Sequence, residues 1–197
     1  MTELFSEKQI FVKEKVRMFR FGNVFEFFNL SNVKLGEARE EEITKFKKVI
    51  KLTKYKSLLP FTIVLYDNMG EKIVRLNKPF KFWLPIVNVY DKQNQKIGSY
   101  KSKFRFFKPT FSLRDNSEQE FAKIEGNIMA WNFKITSNDS REIGTINKKF
   151  AGVAKELFTT SDNYLININN ELLNEQQRKL LTSVACVIDM IFKEYKH

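Results

Sequence analysis

Residues 87–100 read VNVYDKQNQKIGSY, and this stretch holds the pattern that decides the fold. β-Branched and aromatic residues occupy two arms, and a short polar turn that starts at Asp91 separates them. Such a turn between two strand-like runs indicates a β-hairpin. The second arm begins with an apolar residue followed by a small one, Ile97 and Gly98. The stretch therefore predicts a hairpin whose second arm begins with an apolar and a small residue, which are called the exit pair below.

The same pattern occurs five times, and the other four copies are FFNLSNVKLGEA (27–38), VLYDNMGEKIV (64–74), FSLRDNSEQEFAKI (111–124) and FKITSNDSREIGTI (133–146). Aligned on their exit pairs, which begin at Leu35, Ile73, Ile97, Phe121 and Ile143, the copies are 38, 24, 24 and 22 residues apart. A recurring unit of this kind is an internal repeat. Five hairpins supply about ten antiparallel strands, and Gln9–Val16 and Tyr164–Asn169 are candidates for two more.

The composition limits the organisation and the partners of the chain. A length of 197 residues, without a Gly/Ser/Pro-rich linker between the repeats, predicts one domain over residues 1–197. The net charge of +11 favours anionic partners, either phospholipid surfaces or nucleic acid.

Cys186 is the only cysteine, so we expect no disulfide framework and a reducing, cytoplasmic location. The N-terminal sequence MTELFSEKQIFVKEK does not resemble a secretory signal.

After residue 170 the pattern changes from strand to helix. Asn174 is a candidate N-cap with Gln177 three residues later, and the segment to Tyr195 lacks Gly and Pro. Residues 180–192 are apolar on nearly every face, which indicates burial in a protein core or a bilayer. The run contains Asp189 and is shorter than the roughly 20 residues needed to span a bilayer, so we predict a core helix over about 175–195. Its core row is Leu180, Val184, Ile188 and Phe192.

The strands and the helix together predict the architecture. A closed barrel of about twelve strands is wider than the roughly eight strands whose lumen side chains alone can fill. A central apolar helix fills that space, and closure removes exposed sheet edges. The predicted fold is mainly β: a closed antiparallel barrel wrapped around its C-terminal helix.

Five motifs in the same order resemble the phospholipid scramblase family. They are PFTIVLYDNMG (60–70), LNKPFK (76–81), IGTINKKFAG (143–152), ELFTTSDNY (156–164) and VIDMIF (187–192). The resemblance covers roughly residues 8 to 195. It implies the tubby-like fold shared with LURP-one-related proteins, a twelve-stranded barrel around a C-terminal helix. It also implies membrane association and phospholipid movement between leaflets.

The chain departs from that family at three places. The family's cysteine cluster, which carries acyl chains, is replaced by FWLPIVN (82–88), and its proline-rich tail is missing, which makes this a minimal form. In the stretch that matches the family's calcium loop, 160–171, only Asp162 and Glu171 are carboxylates, and Leu165 stands at the glycine position. Because calcium needs several oxygen ligands on a tight loop, we expect no strong calcium site and no other cofactor.

Catalytic chemistry is not expected. The only histidine is the terminal His197, and Cys186 lies on the apolar helix, so a nucleophile paired with a base is not indicated. Glycine-rich phosphate-binding motifs do not occur in the sequence. We interpret the chain as a non-enzymatic protein.

Two segments are candidates for membrane contact. In KPFKFWLP (78–85), Lys78 and Lys81 are mixed with aromatic residues that include Trp83, as in a loop at a membrane interface, although a strand with inward aromatics also fits. The segment 41–56 reads as a basic amphipathic helix that carries Lys45, Lys48 and Lys51. Such a helix can lie on anionic lipid or dock its apolar stripe on its own barrel.

A basic row completes the candidate surface. Lys101, Lys103, Arg105 and Lys108 interleave with aromatic residues, which predicts a basic outer face and an aromatic inner face. If this row lies beside Arg75 and the pair Lys148 and Lys149, the combined field suits a multivalent lipid headgroup. The partner is then an anionic phospholipid or membrane surface, bound peripherally by a monomer. The alternative is a nucleic-acid-associated or regulatory module that uses the same cations, and a structural interaction domain without a ligand is a third possibility.

Overall fold

The computed structural model describes residues 2–15, 22–41, 59–80, 84–103, 108–127, 132–148, 163–169, 171 and 173–195, with the side chains of the last helix described as far as Ile191. Its elements are α1 (Glu3–Ser6), β1 (Gln9–Lys15), β2 (Val24–Phe28), β3 (Lys34–Glu41), β4 (Phe61–Asp67), β5 (Lys72–Lys78), β6 (Ile86–Asp91), β7 (Lys96–Lys103), β8 (Thr110–Asp115), β9 (Glu120–Gly126), β10 (Asn132–Ser137), β11 (Glu142–Lys148), β12 (Asn163–Ile168) and α2 (Glu175–Tyr195).

The twelve strands form one closed antiparallel barrel. Each strand pairs with its neighbours in sequence, and β1 closes the barrel by pairing with both β2 and β12. All five predicted hairpins are present, and the two additional strands coincide with β1 and β12. The predicted fold class is therefore confirmed.

The five hairpin turns share one geometry. In the turn between β4 and β5, the amide of Asp67 donates to the carbonyl of Glu71, and the amide of Gly70 donates to the carbonyl of Asp67. The Asp67 Oδ1 atom accepts two further amides, and Gly70 has a φ of +83°. The same backbone bonds recur in the other four turns, with positive φ at Asn32, Asn94, Glu118 and Ser140. This turn geometry explains the Asp, Asn and Ser residues of the repeat.

The exit pairs mark five β-bulges. In each hairpin the register shifts by one residue, so that the apolar member of the pair has no partner across the hairpin. The second member is buried in all five pairs, and the first is buried in four and half-buried at Phe121, where it packs against the core. Two consecutive residues therefore occupy the core side. A bulge increases the local twist and curvature that a closing sheet needs. The repeat thus encodes barrel closure as well as the turns.

Gly98 shows why the second residue of the pair is small. A Cβ atom at this position would lie closer than 3.0 Å to the carbonyl oxygen of Arg114 on β8 and 2.9 Å from Cδ2 of Leu180 on α2. We therefore expect Gly98→Ala to destabilise the protein by about 1–3 kcal/mol through overpacking, measured by urea unfolding. At a glycine in an uncrowded strand, the same substitution would instead stabilise the protein by about 0.5–1 kcal/mol. A stabilising Gly98→Ala would show that the strand and helix do not approach closely here.

The connections between strands separate into two ends of the barrel. The hairpin end carries the five turns, residues 29–33, 68–71, 92–95, 116–119 and 138–141. The connection end is the opposite one, where the strands are joined by residues 16–23, 42–60, 79–85, 104–109, 127–131 and 149–162. Lys8 and Ile168, which are hydrogen-bonded, lie at the hairpin end, so α2 enters the barrel from that side.

Helix α2 occupies the lumen, as predicted. Asn174 and Gln177 form the expected reciprocal cap, with bonds of 2.9 and 3.1 Å. All residues from Leu180 to Ile191 are buried, including the predicted core residues Leu180, Val184 and Ile188. Phe192 lies within the helix, but its side chain falls outside the described part. In the portion of the chain that the structure describes, no helix has the length and apolar character needed to cross a membrane.

Polar contacts fix the depth of the helix in the barrel. The Tyr100 hydroxyl donates to the carbonyl oxygen of Leu180 and lies 3.0 Å from the Ser183 hydroxyl. Near the connection end, the Tyr164 hydroxyl donates to Asp189 Oδ1 at 2.7 Å. These directional bonds give the apolar helix a defined register, which apolar packing alone specifies weakly.

Candidate functional site

Four of the sequence-predicted lipid contacts are described, and they lie toward one end of the barrel. Lys78, Lys101, Lys103 and Lys148 lie on β5, β7 and β11 in the halves nearest the connection end. The remaining candidates belong to connections that start and finish at this end, and these residues lie outside the described part of the structure: Lys45, Lys48, Lys51, Lys81, Trp83, Arg105 and Lys149. The amphipathic-helix hypothesis for 41–56 also falls on such a connection.

Lys78 requires a correction. It is only 2% exposed, and its Nζ donates to the carbonyl oxygen of Leu59 at 2.8 Å and lies 5.6 Å from the Phe61 ring centre. It continues the inward alternation of Val74 and Leu76 along β5. Lys78 is therefore a lumen residue and does not present its charge to an external surface.

The basic row on β7 is partly neutralised by its neighbours. Tyr100 is buried and Lys101 half-buried, as the predicted alternation requires, whereas Phe104, Arg105, Phe106 and Phe107 lie outside the described part. Lys103 Nζ is 2.8 Å from both carboxylate oxygens of Glu120. Burial alone would raise the pKa of Glu120, but the hydrogen bonds from Lys103 and Ser112 outweigh it and lower the pKa.

The basic row on β7 does not lie beside Arg75 and Lys148, contrary to the expectation from the sequence. Arg75 stacks on Tyr90 at 4.2 Å and donates to Asn94 in a turn at the hairpin end. Lys148 lies on β11, with β8, β9 and β10 between it and the basic row on β7. The row and Lys148 therefore share the connection end of the barrel but not a continuous side of it.

The lumen becomes polar toward the connection end. Glu14 continues the inward alternation of Ile10 and Val12 on β1 and is buried. Asp189 on α2 is buried as well, and Lys148 Nζ lies 5.6 Å from the ring centre of Tyr164, which binds Asp189. Glu14 was not among the residues expected at the site, although the strand alternation indicates that it points inward.

Charge and aromatic residues are distributed unequally between the two ends. The six segments at the connection end contain thirteen Lys or Arg and three Asp or Glu, together with thirteen aromatic residues that include both tryptophans, Trp83 and Trp131. The five hairpin turns contain two basic and three acidic residues and no aromatic residue. Nearly all of the net charge of +11 is thus carried by chain that is attached to one end.

An aromatic residue and a lysine are among the exposed side chains described at the connection end. Phe80, which follows β5, is 60% exposed, and Lys108, which precedes β8, is also exposed. Exposed aromatic rings and cations are the residue types found at membrane interfaces, where the ring meets the headgroup region and the ammonium meets phosphate.

Of the two candidate calcium ligands only Glu171 is described, and the single thiol is buried. Asp162 lies outside the described residues, and Glu171 is exposed and forms an ion pair with Lys8 at 3.2 Å. In the described ranges, no group of three or more His, Cys, Asp or Glu side chains is placed to hold a metal ion. Burial, with a contribution from the nearby Asp189 charge, raises the pKa of the Cys186 thiol well above its ordinary value.

Comparison with known proteins agrees with this architecture. A crystal structure of a protein from Arabidopsis thaliana is similar over 97% of both chains, with a TM-score of 0.56 and 10% sequence identity, which shows the shared tubby-like fold alone. A phospholipid scramblase family protein of Schizosaccharomyces pombe is 27% identical over 84 residues, which are 38% of this chain. The match spans about a fifth of that relative, 22% of its length.

The family model named Scramblase matches residues 1–195. This match extends over all twelve strands and α2 and includes both ends of the barrel. The chain therefore belongs to the scramblase family.

Proposed function

We propose that this protein is a scramblase-like, non-enzymatic membrane protein that binds anionic phospholipid peripherally, as a monomer, from the cytoplasm. The observation that carries the proposal is the concentration of basic and aromatic residues in the chain segments of the connection end. Each Lys or Arg near an anionic surface contributes about 1 kcal/mol, so about eight engaged cations would give micromolar binding.

Lipid is favoured over nucleic acid by the residues that accompany the cations. Trp83, Trp131 and Phe80 belong to segments that connect strands at the same end of the barrel, and large amphipathic rings suit the headgroup region of a bilayer. Duplex recognition uses a helix or a β-ribbon that enters a groove, and the described residues provide no such projecting element.

Vesicle co-sedimentation tests the proposal directly. Binding is measured to vesicles of phosphatidylcholine alone, to vesicles that contain 30% phosphatidylserine, and to duplex and single-stranded DNA of equal charge concentration. We expect salt-sensitive binding to the anionic vesicles and weak binding to the neutral ones. Protein that ignores anionic vesicles at low salt but binds DNA would replace this proposal with the nucleic-acid alternative.

Movement of lipid between leaflets is a separate activity. It is measured with vesicles that contain a fluorescent phospholipid and an external reductant that destroys fluorescence in the outer leaflet only. Fluorescence of the inner leaflet is then lost as its lipid moves to the outer one. Faster loss of inner-leaflet fluorescence than in protein-free vesicles would assign lipid movement to this chain. Binding without such loss would restrict the function to lipid binding.

Calcium is not expected to control the binding. The stretch 160–171 offers only Asp162 and Glu171 as carboxylates, and Glu171 is already paired with Lys8. Because a tight site needs six to eight oxygen ligands, we expect calorimetry to show no calcium binding at micromolar concentration. A stoichiometric isotherm that disappears in Asp162→Ala would contradict this expectation.

A further inference from the structure

On the outer face of β7, β8 and β9, basic side chains surround one carboxylate. Lys103 lies on β7, Ser112 on β8 and Glu120 at the start of β9. Lys103 Nζ lies 2.8 Å from both carboxylate oxygens of Glu120, and the Ser112 hydroxyl donates to Glu120 Oε2 at 2.7 Å. The charge of Arg114, which is on the same strand as Ser112, also stabilises the Glu120 carboxylate. An ammonium group, a hydroxyl and a nearby guanidinium thus act together on a single anionic group.

Two further lysines flank the hydroxyl of Ser112. This residue is fully buried although it lies on the outer face, and the strand register places it directly between Lys101 on β7 and Lys123 on β9. Lys101 has no carboxylate partner among the described residues, and Lys123 is paired with Glu125 at 2.7 Å. We call this group the Glu120 cluster, and it consists of Lys101, Lys103, Ser112, Arg114, Glu120 and Lys123.

Positive charge exceeds negative charge in the Glu120 cluster. Its four cations face one internal carboxylate, and Glu125 at the rim adds a second. Without the Glu120 side chain, four cations and a hydroxyl donor would surround a place that no charged group fills. Such a donor set binds the oxygens of phosphate groups in proteins.

We propose that the Glu120 cluster is a binding site for a phosphate monoester, and that the Glu120 carboxylate occupies this site as an internal competitor. A phosphate monoester brings about two negative charges and three strong acceptor oxygens, whereas a carboxylate brings one charge and two oxygens. The cations therefore attract the phosphate more strongly than they attract Glu120. The inference deepens the proposed function, and it rests on that function for a lipid headgroup as the source of the phosphate.

Glu120 can leave the site at little cost because the contact is at the surface. The side chains of Lys103 and Glu120 are 36% and 28% exposed, so a phosphate can approach from the solvent. Exposed ion pairs contribute little to stability, and a rotation about side-chain bonds moves the carboxylate away without a change in β9. Occupation by Glu120 lowers the apparent affinity for phosphate in proportion to the fraction of molecules whose site is free.

Glu120→Gln tests the internal competition. The substitution removes the negative charge and keeps the size of the side chain, so the cations remain without their competitor. We expect calorimetry to show inorganic phosphate binding about tenfold more tightly to this variant than to the native protein. Glu142→Gln is the matched control, because Glu142 is also paired with a lysine, Lys134 at 3.1 Å, and its replacement changes the net charge equally. The control should bind phosphate as the native protein does.

Lys101→Gln tests the site without any change at Glu120. The loss of this cation should weaken phosphate binding by the native protein severalfold. Lys92→Gln is the control of equal charge, since Lys92 is exposed in a hairpin turn far from the cluster in the sheet order, and it should leave the affinity unchanged.

Vesicles distinguish a lipid headgroup from a free phosphate monoester. Phosphatidic acid carries a phosphate monoester and phosphatidylserine a diester, so co-sedimentation with Glu120→Gln is compared on vesicles of the two lipids at equal surface charge. Binding that is severalfold tighter to phosphatidic acid would assign the site to a lipid headgroup. Equal binding to the two lipids, together with tight binding of inorganic phosphate, would assign it to a soluble phosphate monoester.

Two outcomes overturn the inference. Equal phosphate affinity of Glu120→Gln and Glu142→Gln would show that Glu120 does not compete for the site. Equal affinity of Lys101→Gln and Lys92→Gln would show that phosphate does not bind at the cluster. Failure of the native protein to bind any anionic vesicle is a different result, since it refutes the proposed function while the phosphate measurements still decide this inference.

Discussion

Replacing Lys45, Lys48 and Lys51 by glutamate is expected to weaken binding to anionic vesicles by at least about a hundredfold, because three engaged lysines contribute about 1 kcal/mol each. The loss should be largest at low salt and should shrink as salt screens the attraction. The measurement is the dissociation constant from vesicle co-sedimentation at several salt concentrations. All three residues belong to the segment 42–60, which is attached to the connection end.

A second triple variant separates position from net charge. Lys8, Lys92 and Arg141 lie at the hairpin end, and their replacement by glutamate gives the protein the same net charge as the first variant. This control should retain most of the affinity. Equal losses in the two variants would mean that binding follows the total charge and not the connection end.

Trp83→Ala distinguishes the aromatic contribution from the ionic one. Its loss of affinity should depend less on salt, because burial of a ring at the interface does not involve charge. An unchanged affinity would remove Trp83 from the contact surface, while the basic contribution would still be measured by the lysine variants.

Leu180→Ala is expected to lower the free energy of unfolding by about 2–5 kcal/mol, because it removes a completely buried side chain from the contact between α2 and the barrel. A loss of this size shifts the melting temperature by about 2–4 °C for each kcal/mol in a chain of this length. Urea unfolding and calorimetry measure the two quantities.

Leu30→Ala is the matched control, since Leu30 is the same residue type in an exposed turn. Its effect should stay within about 0.5 kcal/mol. Similar small effects for Leu30 and Leu180 would contradict a lumen filled by α2.

Much of the fold could be predicted from the sequence because its determinants are local and repeated. The turn residues that begin at Asp67, Asp91 and Asp115 fix a short-range geometry, and each copy supports the interpretation of the others. The all-round apolar pattern of α2 and its cap at Asn174 likewise need no knowledge of distant residues. The bulges were not predicted, because a missing partner is visible only when the opposite strand is in place.

The candidate site was less predictable, since it depends on which residues the barrel closure brings to a common end. Lys78 was assigned to an interfacial loop from its neighbours in sequence, but it belongs to the inward-facing row of β5. The grouping of Lys101, Lys103 and Lys148 at one end follows from the antiparallel topology. Composition gave the charge of +11 but not the end of the barrel to which the basic segments are attached.

The two ends also differ in how freely they can change during evolution. The five hairpin turns have four or five residues each, with one set of backbone bonds, whereas the segments at the connection end range from five to nineteen residues. Insertions there leave the hairpin registers and the bulges undisturbed, because loop length costs little when the strands are already held. The barrel and its hairpin turns therefore form a constant scaffold, and the segments at the connection end can vary. New recognition surfaces can be selected or engineered in those segments without redesigning the core.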